Sequence, residues 1–135
     1  MKIVSYKELI IWQRSIQLTL KIYKETKSFP KEELFGMVNQ MRRAASSVPA
    51  NIAEGWNRNS NKSLIYFLSI SKGSLGELNT FTILAEKLGF LKKEISSELQ
   101  DEIDLISKKI FRLQQSLQPV ISIKKEETKN QSESS

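Results

Sequence analysis

The sequence predicts an all-α protein, built as an antiparallel up-and-down four-helix bundle over residues 1–118 and followed by a disordered tail over residues 119–135. Four segments of the chain carry apolar residues at helical spacing. Five Gly and three Pro in 135 residues favour long regular elements over turns. Because the connections between the segments are short, we expect consecutive helices to be antiparallel neighbours.

The first helix is expected to begin with a capping box. The Ser5 hydroxyl can accept a hydrogen bond from the backbone at the third helical position, and Glu8 can reach back to the cap. Apolar residues then recur at helical spacing on one side, which we interpret as the core face. These residues are Leu9, Trp12, Ile16, Leu20 and Tyr23.

The opposite side of the first helix carries a second apolar stripe with a basic margin. The apolar residues are Ile11, Leu18 and Ile22, and the cations beside them at seven-residue spacing are Lys7, Arg14 and Lys21. A monomeric bundle needs no apolar residues there, so the pattern predicts an oligomer with its subunit interface on this stripe. Isolated surface aliphatics are the alternative, because such residues are common on monomers.

The second helix has the most regular apolar stripe. It consists of Leu34, Val38, Met41, Ala45, Val48 and Ile52, a spacing that is typical of one side of a bundle helix. Pro30 suits the first turn of this helix. Pro49 lies inside it and removes one backbone donor, so we expect a kink there without requiring the helix to end.

The third and fourth helices are predicted at about residues 60–88 and 92–117, and Gly89 suits a left-handed helix end between them. The third helix has two adjacent apolar arcs, which predicts burial on more than one side. One arc contains Leu64, Phe67, Leu68, Leu75, Leu78 and Ala85, and the other contains Tyr66, Ile70, Phe81, Leu84 and Leu88. The core stripe of the fourth helix contains Ile95, Leu99, Ile103, Ile106, Ile110, Leu113 and Leu117.

The positive charge is consistent with binding to the phosphates of a nucleic acid. The chain has a net charge of +6, and residues 1–29 carry six basic and two acidic side chains. Clustered cations neutralise phosphates and release counterions, which gives salt-sensitive binding to RNA or DNA. A solvated basic surface is the alternative, because net charge alone does not identify a partner.

The composition argues against an enzyme. The chain has no Cys and no His, so it lacks a thiol nucleophile, an imidazole base and the commonest transition-metal ligand. A metal-dependent nuclease that uses Glu54 and Glu77 is a remote alternative, since either acid can instead form an ion pair. Arg42 and Arg43 form a basic pair that can contact phosphate or one of these acids. We therefore expect no catalytic residues, no metal, no cofactor and no small-molecule substrate.

The chain shows neither a targeting segment nor a membrane span. Lys7 and Glu8 interrupt the apolar start, so no signal-peptide core forms. No stretch approaches the ~20 apolar residues of a membrane helix. We expect a soluble, cytoplasmic protein without a membrane partner.

Several short runs together resemble a known family. The most specific is QMRRAASSVPANIAEG, residues 40–55. The others are residues 11–13, 29–30, 35–36, 67–68, 73–75, 77–78 and 88–91. Over about residues 5–117 the chain is similar to the four-helix-bundle family named for proteins encoded in 23S ribosomal RNA intervening sequences. The accessory protein of diversity-generating retroelements is a distant relative of this family.

The resemblance implies an antiparallel bundle that assembles into a homopentameric ring without enzymatic activity. The distant relative forms a basic pentamer that works with a reverse transcriptase and nucleic acid. That likeness makes Arg42, Arg43 and Arg58 candidates for assembly or nucleic-acid contacts. The chain departs from the family pattern at Ser63 and Tyr66, where charged residues are expected. Two functions follow: a nucleic-acid-binding homo-oligomer, or an oligomeric adaptor for another protein without a nucleic-acid role.

Overall fold

The computed structural model describes residues 3–118. Its four long helices are α1 (Ile10–Thr26), α2 (Asn39–Asn57), α3 (Asn61–Lys87) and α4 (Lys93–Ser116). A 3₁₀ turn, Tyr6–Glu8, precedes α1, and a 3₁₀ turn, Lys31–Glu33, and a π-helical turn, Leu34–Val38, lead into α2. The predicted all-α class with four helices is confirmed. The tail predicted over residues 119–135 lies outside the described residues.

Contacts between neighbouring helices show how the chain runs. On α1 and α4, Arg14 pairs with Glu102 and the later Lys21 pairs with the earlier Glu98. The same reversal of order joins α1 with α2, α2 with α3, and α3 with α4. Each helix is therefore antiparallel to its neighbours, and α1–α2 and α3–α4 form opposite sides of the bundle.

The predicted capping box is present, but it closes the 3₁₀ turn ahead of α1. The Ser5 hydroxyl accepts from the Lys7 backbone N–H at 3.2 Å, and the Glu8 carboxylate accepts from the Ser5 N–H at 3.1 Å. Leu9 then adopts extended backbone angles, and α1 begins at Ile10. The box fixes how the chain enters α1 and does not belong to the helix itself.

The entry to α2 is less regular than the sequence predicts. Gly36 has non-helical angles (φ −105°, ψ −107°) inside the π-helical turn. Leu34, which is expected in the core stripe, is consequently 48% exposed. The rest of the stripe is confirmed, because Val38 to Ile52 are buried at the predicted spacing.

A hydroxyl on α1 explains how α2 continues through Pro49. Without a Pro49 N–H, the carbonyl of Ala45 loses its partner within the helix. The Thr19 hydroxyl approaches that carbonyl at 3.1 Å and the Ser15 carbonyl at 2.8 Å. The orphaned acceptor thus receives a donor from the neighbouring helix, which stabilises the Pro inside α2.

The helices α2 and α3 approach each other closely at Gly55. A Cβ atom at this position would lie 2.8 Å from the Cβ of Phe67 and 3.2 Å from the Cα of Leu64. A larger residue would therefore push α3 away from α2. At the far end of α3, Gly89 has φ +79°. This is the left-handed helix end that the sequence predicts, and the Phe90 N–H donates to the Ala85 carbonyl in a Schellman arrangement.

The two faces of α1 are reversed relative to the prediction. Ile11, Leu18 and Ile22, assigned to a subunit interface, are 6%, 2% and 0% exposed and belong to the chain's own core. Leu20 and Tyr23, assigned to the core, are 59% and 42% exposed. The interface assignment of those three residues is therefore wrong, because side chains already covered by their own chain cannot meet a second copy.

Two buried hydroxyl residues account for the reversal. Ser15 and Thr26 complete the inner stripe and are 0% and 3% exposed. Their hydroxyls donate to carbonyls of the same helix, Ser15 to Trp12 at 2.8 Å and Thr26 to Ile22 at 2.7 Å. A hydroxyl satisfied in this way is tolerated in a core. Counting only apolar residues therefore made the inner stripe look too short.

Only one of the two apolar arcs of α3 is covered by this chain. Tyr66, Leu84 and Leu88 on the outer arc are 62%, 43% and 52% exposed. The core stripe of α4 is confirmed for its central members, Leu99, Ile103, Ile106 and Ile110. Among the described residues, no helix is long and apolar enough to cross a membrane.

Candidate nucleic-acid interface

Two of the predicted nucleic-acid-binding cations on α1 are paired with acids of α4. Arg14 donates from Nε and Nη2 to both carboxylate oxygens of Glu102, at 2.9 and 3.1 Å. Lys21 Nζ lies 2.7 Å from Glu98 Oε2. The hydrogen bonds from Glu102, together with its charge, raise the pKa of Arg14 above its ordinary value. Arg14 and Lys21 therefore link α1 to α4 and present little unpaired charge.

Arg42 is also held by α1. Its Nε donates to the Thr26 hydroxyl at 3.0 Å, and its Nη2 donates to the Tyr23 carbonyl at 3.4 Å. The guanidinium lies over the Tyr23 ring, 4.7 Å from its centroid. These contacts tie the last turn of α1 to the first turns of α2, so Arg42 has a structural role at the join of the two helices.

Arg43 and Glu77 line one cleft between α2 and α3. The cleft has a volume of about 310 Å³, and its other walls are Gln40, Ala44, Ser47 and Ser74. The Ser47 and Ser74 hydroxyls are 2.8 Å apart. Arg43 is exposed here and makes no ion pair with a described residue.

The acids proposed for a metal-dependent nuclease are not brought together. Glu54 lies ten residues beyond Ala44 on α2, which is about 15 Å along a helix. Glu54 instead pairs with Arg58, whose Nη2 is 2.7 Å from its Oε1. Within residues 3–118 no group of three or more acids could hold a metal ion.

Arg58 and Lys7 lie at the same end of the bundle. Besides its pair with Glu54, Arg58 places its guanidinium 5.3 Å from the centroid of the Phe67 ring. Lys7 is exposed, and its carbonyl accepts from Gln13 Nε2 at 2.9 Å. The N-terminal segment reaches this end too, because Ile3 and Val4 line a pocket with the turn between α2 and α3.

The unbalanced charge of the described chain lies in one half of the bundle. We call this half the basic end and define it as residues 3–13, 48–72 and 107–118. It carries Lys7, Arg58, Lys62, Lys72, Lys108, Lys109 and Arg112 against Glu8 and Glu54. At the opposite end, residues 23–38 and 85–98 carry six basic and six acidic residues. The remaining described residues carry four of each, so the net positive charge resides at the basic end.

Five of these cations were not identified by sequence reasoning. They are Lys62, Lys72, Lys108, Lys109 and Arg112, and none forms an ion pair with a described residue. The signal was present in α4, whose acids come early and whose bases come late. That order complements the helix dipole, so in the sequence it does not by itself indicate a binding surface. Folding places the late bases beside the start of α3 and the early acids beside α1.

The outer stripe of α1 borders an apolar groove on α2. Trp12, Ile16 and Thr19 form one wall, and Pro49, Ala50 and Ala53 form the other. The groove has a volume of about 340 Å³. Leu20 comes four residues after Ile16, one turn further along α1, and is 59% exposed. The apolar surface that the sequence suggested for an interface therefore exists on α1, but on the face assigned to the core.

Comparisons with known proteins agree with the fold. A crystal structure at 1.70 Å of a protein of unknown function from the S23 ribosomal protein family of Bacteroides thetaiotaomicron matches with a TM-score of 0.70 and 20% identity. The match covers 78% of this chain and 98% of that chain. No curated protein matches this chain. The family model described as 23S rRNA-intervening sequence protein matches residues 7–112, and the chain therefore belongs to this family.

Proposed function

We propose that this protein is a non-enzymatic, self-associating four-helix bundle that binds RNA or DNA through its basic end. The supporting observation is the uneven charge, with seven cations and two acids in that half and a balance elsewhere in the described chain. Cations that are free of acidic partners can neutralise phosphates and release counterions. The basic end is thus the surface best suited to a polyanion.

The choice of surface differs from the one that the sequence suggested. Arg14 and Lys21 on α1 already have carboxylate partners on α4. A phosphate there would have to compete with Glu102 and Glu98, whose like charge repels it. Lys108 and Arg112 form no ion pair with an acid among the described residues. A phosphate that binds them therefore displaces no carboxylate.

Self-association is proposed on the α1–α2 groove. Partly exposed Trp12 and Ile16 and exposed Leu20 line a surface that includes Pro49, Ala50 and Ala53. Burial of this apolar surface against a second copy would release its bound water and stabilise the assembly. On the family resemblance we propose a homopentameric ring, in which the basic end is repeated on every subunit.

A protein adaptor is the second candidate function. The same apolar groove can accept an amphipathic helix of another protein. If that is its role, a protein partner remains bound to the purified bundle after nuclease treatment, and the bundle shows no salt-dependent affinity for nucleic acid.

Salt-dependent titrations test the nucleic-acid proposal. Fluorescently labelled RNA and DNA of equal length are titrated with the protein between low and physiological salt. We expect log affinity to fall linearly with log salt, with a slope of about 0.7–0.9 per neutralised phosphate. A flat slope, or no measurable binding at low salt, contradicts the proposal.

A matched pair of variants locates the surface. Lys108→Gln with Arg112→Gln removes two unpaired cations, and we expect weaker binding with a shallower slope. Arg14→Gln with Lys21→Gln removes the same charge from the ion-paired seam, and binding should change less. Equal effects of the two double variants would show that total charge, and not the basic end, governs binding.

A further inference from the structure

The basic end presents aromatic rings among its cations on the α3–α4 side. Tyr66 of α3 is 62% exposed and Phe111 of α4 is 50% exposed. An aromatic side chain that stays exposed among cations offers both a ring face and a positive charge to a ligand. The bundle core does not explain their placement, since neither ring is buried in it or packed against it.

Each ring has a cation beside it. Lys72 Nζ lies 5.1 Å from the centroid of the Phe111 ring, and Lys108 precedes Phe111 by three residues on α4. Lys62 precedes Tyr66 by four residues on α3. Residues three or four apart on a helix are surface neighbours, so a positive charge borders both aromatic faces.

The two helices that carry the rings are held in one register. Gln114, which is 7% exposed, donates to the Ile65 carbonyl at 3.0 Å and to the Ser69 hydroxyl at 2.9 Å. These bonds join α4 to the turn of α3 that carries Tyr66. Phe67 also meets the Tyr66 ring edge-on, with centroids 5.1 Å apart. The platform is therefore preorganised by the fold.

We propose that this platform binds single-stranded nucleic acid, an inference that rests on the proposed function and specifies its substrate. Bases stack on Tyr66 and Phe111, and the phosphates follow Lys62, Lys72 and Lys108. Aromatic stacking needs unpaired bases with open faces, which a duplex does not offer. Charge alone would attract a duplex equally well, so the exposed rings are the feature that selects a single strand.

The spacing of the platform fits a short stretch of single strand. Tyr66 and Lys72 are six residues apart on α3, about 9 Å along the helix axis. Lys72 marks the level of the Phe111 ring. A single strand at about 3.4 Å per phosphate covers this length in two to three nucleotides. The axial offset between the two rings therefore corresponds to a few nucleotides of single strand.

Alanine variants of the two rings test the inference. The probes are a labelled single-stranded 15-mer, as RNA and as DNA, and a blunt duplex of the same length. We expect Tyr66→Ala and Phe111→Ala each to weaken single-strand binding about tenfold while duplex binding and the salt slope stay nearly unchanged. Tyr66→Phe keeps the ring and should keep the affinity. Phe35→Ala removes a 90% exposed ring from the opposite end and serves as the matched control.

The outcomes separate this inference from the proposed function. Salt-dependent binding that is unaffected by both alanine variants, or that favours the duplex, overturns the platform and leaves the basic end as the binding surface. Absence of salt-dependent binding to every probe overturns the proposed function and the platform with it. If Phe35→Ala weakens single-strand binding as much as Tyr66→Ala and Phe111→Ala do, the platform is also overturned. The effect would then not depend on where the ring lies on the bundle.

Discussion

The inner and outer faces of α1 contain comparable apolar residues but have different surroundings. The inner face places Leu18 and Ile22 in the core at 2% and 0% exposure, together with the buried hydroxyl of Ser15. The outer face leaves Leu20 at 59% exposure. The difference teaches that the number of apolar residues on a stripe does not decide burial when hydroxyl residues that satisfy themselves can share the core.

The largest expected effect tests this comparison directly. Ile22→Asp would bury an unpaired carboxylate, and we expect a loss of several kcal/mol in the free energy of unfolding, enough to prevent folding. Leu20→Asp, two residues away on the exposed face, should change it by less than about 1 kcal/mol when both variants are measured at a protein concentration below that of self-association. Urea denaturation followed by circular dichroism measures both. Equal destabilisation would show that the outer face is also part of the core.

The second helix provides a check on the same prediction. Val48 is 0% exposed in the stripe that the sequence placed correctly. We expect Val48→Asp to prevent folding as Ile22→Asp does, because the same burial of charge is involved.

Much of the fold could be predicted because its local signals agree with its packing. The period of α2 from Val38 to Ile52, the left-handed end at Gly89 and the Ser5–Glu8 box are all present in the structure. Each depends on residues close together in the chain. Even Pro49 was placed inside its helix, although the Thr19 hydroxyl that accommodates it comes from another segment.

The candidate site was predicted less well because ion pairing depends on partners far apart in sequence. Arg14 and Lys21 looked free until folding brought them to Glu102 and Glu98, 88 and 77 residues away. Lys72 gained its place beside the Phe111 ring in the same way. Net charge could be counted from the sequence, but its location could not.

Self-association gives the second-largest effect and extends the comparison to the outer face. We expect the parent protein to be an oligomer and Ile16→Glu with Leu20→Glu to be a folded monomer, because two charges would be buried at the α1–α2 groove. For the double variant, light scattering should give a mass near the 15.5 kDa of one chain. Leu84→Glu, on the outer arc of α3, is the matched control and should leave the oligomer intact. A monomeric parent would contradict the prediction.

Removal of the Thr19 hydroxyl, which lies at the border between the two faces of α1, should have a smaller effect on the free energy of unfolding. Thr19→Val keeps the shape but leaves the Ala45 carbonyl without a donor, which we expect to lower the free energy of unfolding by about 1–2 kcal/mol. In a Pro49→Ala background the residue 49 N–H can satisfy that carbonyl, so the same change should cost less. A double-mutant cycle by urea denaturation measures the coupling. Additive effects would mean that the hydroxyl does not compensate for the Pro.

Protonation of Glu8 is expected to have the smallest effect on stability. Glu8 lies in the turn ahead of α1 and belongs to neither face of that helix. Its Oε2 accepts from the Val4 N–H at 2.7 Å and from the Ser5 N–H at 3.1 Å, and these two hydrogen bonds lower the pKa of Glu8 below its ordinary value. A carboxylate with a lowered pKa contributes stability above its ordinary pKa and loses that contribution as the pH falls through its folded-state value. Acid should therefore release Val4 and Ser5 while the inner face holds the bundle together.

Carboxyl-detected NMR titration of Glu8, with amide exchange at Val4 and Ser5, can measure that release. We expect the Val4 and Ser5 amides to exchange faster once the pH falls below the lowered pKa of Glu8. In Glu8→Ala the same two amides should exchange fast at every pH, while the helices of the bundle stay folded. Since Glu8 is exposed, the cap orients only the chain that enters α1. A Glu8 pKa at or above the ordinary value of a glutamate would show that the cap is open in solution. If Glu8→Ala instead unfolds the whole bundle, the stability of α1 depends on the cap and not mainly on its buried inner face.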